Sequence, residues 1–121
     1  MATGTGRRAT GYNRGGAEGR AAVRGVTVHV ADDPRFRAFV VAFDAHRYFD
    51  AHEDLEHLWQ EYDGPDRDAV RGLVQVAVAL EHRARGNSAG ARRVGARAIG
   101  NLAPWFPARF GVDLEGRARD L

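Results

Sequence analysis

One stretch, Tyr48-Phe49-Asp50-Ala51-His52-Glu53-Asp54-Leu55-Glu56-His57-Leu58-Trp59, concentrates the side chains that could do chemistry. In a helix, Glu56 follows His52 by one turn, within hydrogen-bonding reach of its imidazole. A histidine held by a carboxylate in a dry site can act as a general acid–base pair or ligate a metal. At about 100° per residue, Tyr48, His52, Leu55, Trp59 and Tyr62 share one arc, so His52 is expected to point inward. Glu53 and Glu56 fall at the margin of that arc, whereas Asp50, Asp54, His57 and Glu61 face water. A second polar line, Arg71, Gln75 and His82, interrupts the apolar segment that follows, and a buried amide such as Gln75 needs a partner. Antiparallel packing would let the two lines form a small pocket of His52, Glu53, Glu56, Arg71, Gln75 and His82, with Tyr48 and Trp59 also lining it.

Known chemical motifs mostly fail on this stretch. His52-Glu53-Asp54-Leu55-Glu56 opens like the zinc-protease pattern His-Glu-x-x-His, but its fifth position is Glu, so the second imidazole is missing. Asp54-x-x-His57 is a shortened form of the di-metal Glu-x-x-His pattern on the solvent side. No phosphate loop, dinucleotide fingerprint or nucleophile setting is present. The preferred reading is a satisfied polar cluster that fixes helix register, with loss of His52 costing about 1–3 kcal/mol by stranding Glu56. No cofactor is expected and no metal either; a metal, if bound, would fall to His52 and Glu56.

The elements that must position these residues follow from the rest of the chain. With 121 residues and no cysteine, the chain suits one domain without disulfides or thiolate metal sites, consistent with a reducing, cytoplasmic setting. The longest apolar run, Leu73 to Leu80, is far shorter than the roughly 20 residues of a membrane span. No targeting segment is read, since polar residues follow Arg7-Arg8. All 18 basic residues are arginine. Residues 1–31 carry five Arg against Glu18, and residues 32–121 carry 13 Arg against 15 acids, so the folded part is nearly neutral.

Residues 1–25, with seven Gly and five Arg, are expected to form a disordered tail, and residues 26–121 the single domain. The tail could hold nucleic acid weakly and salt-dependently, but a solvated extension is preferred because only Tyr12 offers a stacking platform. Val26-Thr27-Val28-His29-Val30 alternates like a strand without an obvious partner, so an extended lead-in is expected.

Asp33-Pro34 predicts a helix start, and Phe36, Phe39, Val40 and Phe43 a buried stripe over 34–45. A second helix should run from 48 to 62 and stop at Asp63-Gly64-Pro65. A third, over 66–85, is apolar around most of its circumference and belongs at the centre. Gly86-Asn87-Ser88 ends it and caps a fourth over 89–102, which should bury Ala91, Val94, Ala98, Ile99 and Leu102. Arg92, Arg93 and Arg97 lie on its outer face. Trp105, Phe106 and Phe110 should cover one end, and residues 112–121 are expected to hold a short last helix. The expectation is an all-α compact bundle of four main helices, two antiparallel hairpins with a short C-terminal helix. A weak repeat at an offset of 40 aligns His46–Ala51 with Gly86–Ala91, and both hairpins resemble the tetratricopeptide unit.

Three motifs in order then carry a family resemblance. Arg47-Tyr48-Phe49-Asp50-Ala51-His52-Glu53-Asp54-Leu55-Glu56-x-x-Trp59, Gly72 to Leu80, and Arg85-Gly86-Asn87-x-x-Gly90-Ala91 resemble the domain-of-unknown-function 309 family over roughly residues 34–114. The resemblance implies a small all-helical prokaryotic domain with no assigned activity. It carries the family's His-Glu-x-x-Glu signature onto His52, Glu53 and Glu56, and its tryptophan onto Trp59. This chain departs at Arg71, where the family commonly has Gln, and at His46, where it has Gly. Arg71 would bring positive charge toward the carboxylates and favour a salt bridge over a metal.

The expected function is a non-catalytic binding or protein-interaction module with a buried His/Glu cluster. The alternative is a small metal-assisted hydrolase centred on His52 and Glu56, with Glu53 as a further catalytic candidate. An unknown protein or small molecule is the expected partner, self-association is an open alternative, and no membrane partner is expected.

Overall fold

Asp33 and Pro34 open the helical part of the chain as their residue types predict. In the computed structural model, which describes residues 18–23 and 26–121, Asp33 is the N-cap of α1 (Pro34–Asp44) and accepts from the Arg35 backbone N–H at 2.8 Å. The Arg35 side chain turns back to donate to both Asp33 oxygens at 3.0 Å. Those side-chain bonds outweigh partial burial and hold the Asp33 carboxyl below its ordinary value of 3.8.

A group whose pKa is lower folded than unfolded contributes stability above its unfolded pKa, and loses it as pH falls through the folded one. Asp33→Ala is therefore expected to cost about 0.5–2 kcal/mol at neutral pH. The gap from wild type should close as the pH drops below 3.8. Urea titrations over a pH series measure it, and a gap constant into strong acid would contradict the cap's ionic character.

Short turns join α1 to α2 (Tyr48–Glu61), α3 (Arg67–Ala84) and α4 (Ser88–Leu102), each within about a turn of its predicted bounds. Each helix packs against the next, and a short α5 (Leu114–Ala118) follows, so the fold is the predicted all-α bundle. α3 is central because its buried residues, among them Val70, Leu73, Val76 and Leu80, run around most of its surface. Gly72 lets α4 come close: a Cβ there would stand 2.6 Å from the Leu102 side chain and 3.2 Å from the Ala98 carbonyl.

Two of the turns between helices depend on left-handed backbone. His46, between α1 and α2, has φ +61°, and Gly86, between α3 and α4, has φ +81°. Glycine adopts that conformation freely, whereas histidine does so at a cost. Asn87 then caps α4 by accepting from the Gly90 N–H at 2.9 Å.

Three expectations need correction. The strand at 26–30 does have a partner: β1 (Arg20–Val23) pairs antiparallel with β2 (Val26–His29), with Arg20 opposite His29 and Val23 opposite Val26. Arg20–Val23, part of the segment expected as a tail, is therefore a paired strand, while residues 1–17 and 24–25 lie outside the described residues. Ile99 is 44% exposed instead of buried. α4 turns Gly90, Gly95, Ala98 and Leu102 inward, with Leu102 and Ala98 seated against Gly72 of α3, which leaves Ile99 on the outer side.

The third concerns α2, whose buried face is Ala51, Leu55 and Leu58, continued by Tyr62. The buried centre is thus rotated by roughly 60° from the predicted arc, leaving His52 and Trp59 on its border. A run of rings spans the other side of the core. Phe110 meets Phe36 at 5.8 Å, and Phe36 meets Phe39 at 6.0 Å. Phe43 continues the run, 5.6 Å from Phe39 and 5.4 Å from Tyr48. Phe110 arrives from a second small hairpin, β3 (Ala108–Arg109) with β4 (Val112–Asp113).

Candidate functional site

The rotation of α2 decides the character of its His/Glu pair. His52 Nε2 lies 3.3 Å from Glu56 Oε1, the predicted one-turn contact, with side chains 22% and 41% exposed. The pair is therefore not the buried cluster that was expected. Its other ring nitrogen, Nδ1, is 3.1 Å from the Phe49 carbonyl, and the Phe49 ring meets the imidazole edge-on at 5.3 Å. Phe49 itself is 47% exposed. Phe49, His52, Glu56 and Trp59 thus form a half-open stripe along one side of α2, and Glu53 stands exposed beside it.

The second polar line does not join this stripe. Gln75 accepts from Asn101 Nδ2 at 2.7 Å, so its amide oxygen finds its partner across the contact between α3 and α4 and not on α2. His82 pairs with Asn87 at 3.1 Å, at the turn into α4. Arg71 makes no described ion pair with Glu53 or Glu56; its guanidinium carbon lies 5.0 Å from the centre of the Trp59 ring. Arg67 stacks closer, at 4.1 Å, and donates from Nε to the carbonyls of Trp59 and Tyr62, closing the end of α2. Cationic side chains over an indole are attracted by the ring's negative face. The Trp59 indole N–H is buried without an acceptor among the described residues.

The reach of this arrangement is limited chemically. Among the described residues no three His, Asp or Glu side chains converge as a metal site requires, and His52 and Glu56 supply only two ligands. The hollow of about 300 Å³ beside Tyr48 is lined by Asp44, His46, Asp113 and Arg117 instead. A second, of about 260 Å³, lies between α3 and α4 near Arg83 and Arg92.

An open His/Glu pair also contributes less to stability than a buried one. His52→Ala is expected to cost within about 0.2–1 kcal/mol, the scale of exposed ion pairs, below the 1–3 kcal/mol appropriate to a buried cluster. Guanidinium unfolding measures the difference, and a loss above about 2 kcal/mol would restore the buried reading.

The most enclosed polar group is one that helical periodicity does not single out. Asp66 is fully buried, and its side chain makes no cap bond to α3. Its Oδ1 accepts from the Tyr62 hydroxyl at 2.5 Å, and its Oδ2 from the Gly19 N–H and from Arg109 Nε, both at 2.7 Å. Arg109 lies 4.4 Å above the Trp105 ring, and Glu18 receives the Phe110 N–H at 3.1 Å. This cluster binds both hairpins to the corner between α2 and α3. Its partners lie 47 and 43 residues from Asp66, so the only local signal is Tyr62, four residues upstream.

The comparisons with known proteins fall on the helical part of the chain. Residues 36–94 match the model of a domain of unknown function (DUF309), a span that holds most of α1, all of α2 and α3 and the first half of α4, and ends short of the expected limit near 114. The uncharacterized protein YpuF of Bacillus subtilis (strain 168) is 45% identical over 65 residues, covering 50% of this chain and 36% of YpuF. The chain thus spans little more than a third of that relative. No solved structure matches. Residues 36–94 are thus similar to the domain-of-unknown-function 309 family, and His52, Glu53, Glu56 and Trp59 on α2 lie inside the matched span.

Proposed function

We propose that this domain is a non-catalytic binding module that takes a partner protein on the outer side of α2. The observation that carries the reading is the open stripe itself: His52 and Glu56 pair beside a 47% exposed Phe49. Catalysis by a His/carboxylate pair gains from an enclosed, water-poor site. Recognition gains from a half-exposed aromatic residue bordered by polar groups, which can be desolvated at a contact. Trp59, held under Arg67 and Arg71, extends that surface with a rigid aromatic edge.

Cross-linking and co-purification of the full chain from its native host tests the reading, with wild type compared to Phe49→Ala. The substitution should abolish capture of a reproducible partner and leave the thermal midpoint near that of wild type, since Phe49 is exposed. Capture unchanged by Phe49→Ala would refute the assignment of the face. Chelator-sensitive hydrolysis lost in His52→Ala would replace it with the metal-assisted alternative.

A further inference from the structure

We infer that the partner of the α2 face is a second copy of this chain, whose α4 supplies the complementary surface. The inference rests on the binding-module reading and gives its partner a chemical identity. α2 contains five acids, Asp50, Glu53, Asp54, Glu56 and Glu61, and no arginine. α4 contains three arginines, Arg92, Arg93 and Arg97, and no acid. Within the chain, Asp50 pairs with Arg47, Glu61 with Arg35 and Glu56 with His52. Glu53, Asp54 and the three α4 arginines have no ion-pair partner among the described residues. Two helices of one molecule thus present unneutralised charge of opposite sign.

Each of these faces also carries an exposed large apolar residue, Phe49 at 47% on α2 and Ile99 at 44% on α4. Between Arg92 on one flank of α4 and Arg93 and Arg97 on the other lie Ala89, Ala96 and Gly100, all exposed. A Cβ added at Gly100 would meet nothing within 4 Å. That smooth strip admits a helix from another molecule, with its acids reaching the flanking arginines and Phe49 covered against α4. Exposed ion pairs are individually weak and screened by salt, so the contact needs several together and should be salt-sensitive. Made reciprocally, it gives a two-fold dimer; made once per molecule, it gives a head-to-tail chain.

Light scattering on the full chain at low and high salt tests the pairing. In about 0.05 M salt, where screening is long-ranged, the mass should reach at least twice that of one chain, and in about 1 M salt it should return to that of one chain. One chain is 13.2 kDa. The variant Arg92→Glu/Arg93→Glu/Arg97→Glu, and separately Glu53→Arg/Asp54→Arg, should each stay at single-chain mass in low salt with unchanged helical circular dichroism. Mixed in equal amounts, the two variants should associate again, a rescue that a folding defect would not give.

Wild type at single-chain mass in low salt would overturn the inference, as would an α4 variant that associates like wild type. A single-chain wild type that binds nucleic acid through Arg92, Arg93 and Arg97 would also overturn it. If such a wild type still captures a foreign protein through Phe49, only self-pairing falls and the binding reading stands. If nothing binds in a Phe49-dependent way, both fall.

Discussion

Asp66→Asn is expected to lower the free energy of unfolding by about 3–5 kcal/mol, the cost of leaving one member of a buried ion pair without its partner. Asp66 is fully buried and receives three hydrogen bonds, from the Tyr62 hydroxyl, the Gly19 N–H and Arg109 Nε. Asparagine keeps the shape but removes the charge. Arg109 is itself buried, with Nη2 already lacking an acceptor, and its nearest other carboxylate, Glu18, is 3.9 Å away and half exposed. Adding Arg109→Met to Asp66→Asn should recover part of that loss, because no uncompensated charge remains while the amide oxygen still accepts from a buried neighbour.

Urea unfolding of the single and double variants measures both statements. A loss below about 1 kcal/mol for Asp66→Asn would mean that water or Glu18 takes over the role. Amide exchange gives a second readout. Gly19 and Phe110 should lose protection first, since the cluster ties their two hairpins to the bundle.

Phe39→Ala is the second large effect, about 3–5 kcal/mol by the usual cost of removing a fully buried aromatic side chain. Phe39 has no exposed surface and sits between Phe36 and Phe43 in the run of rings that joins the β3–β4 hairpin to α2. Its neighbours are large and locked by one another, so the cavity would close only in part. The same denaturation series can include His52→Ala. A loss several-fold greater for Phe39→Ala places the stability of the α1–α2 hairpin in its apolar seam, and equal losses would contradict that.

The pattern of local signals explains what was legible beforehand. Asp33-Pro34, Asp63-Gly64-Pro65 and Gly86-Asn87 each act through backbone geometry within a few residues, so helix bounds could be read from residue types. The His52–Glu56 contact was legible for the same reason, since one helical turn sets it. Depth was not legible. In the predicted arc of α2, Tyr48, His52 and Trp59 compete with Ala51 and Leu58 for the inward side, and periodicity alone does not weight a small alanine against a large tryptophan. On α4, Ile99 has the better apolar side chain, yet glycines at 90 and 95 face inward. The seating of Ala98 and Leu102 against Gly72 of α3 sets which side of α4 faces inward, and that partner is not local to Ile99.

By itself, the sequence determined an all-α bundle, the order and ends of its four main helices, the capping of α1 by Asp33, and the one-turn pairing of His52 with Glu56. The tertiary structure alone decided the rotation that opens His52, Glu56 and Phe49 to solvent. It also separated Gln75 and His82 from them, paired β1 with β2, and gathered Gly19, Tyr62 and Arg109 around Asp66. The physical reason is range: helix signals act over three or four residues, whereas burial and charge pairing depend on which segments meet from more than 40 residues apart.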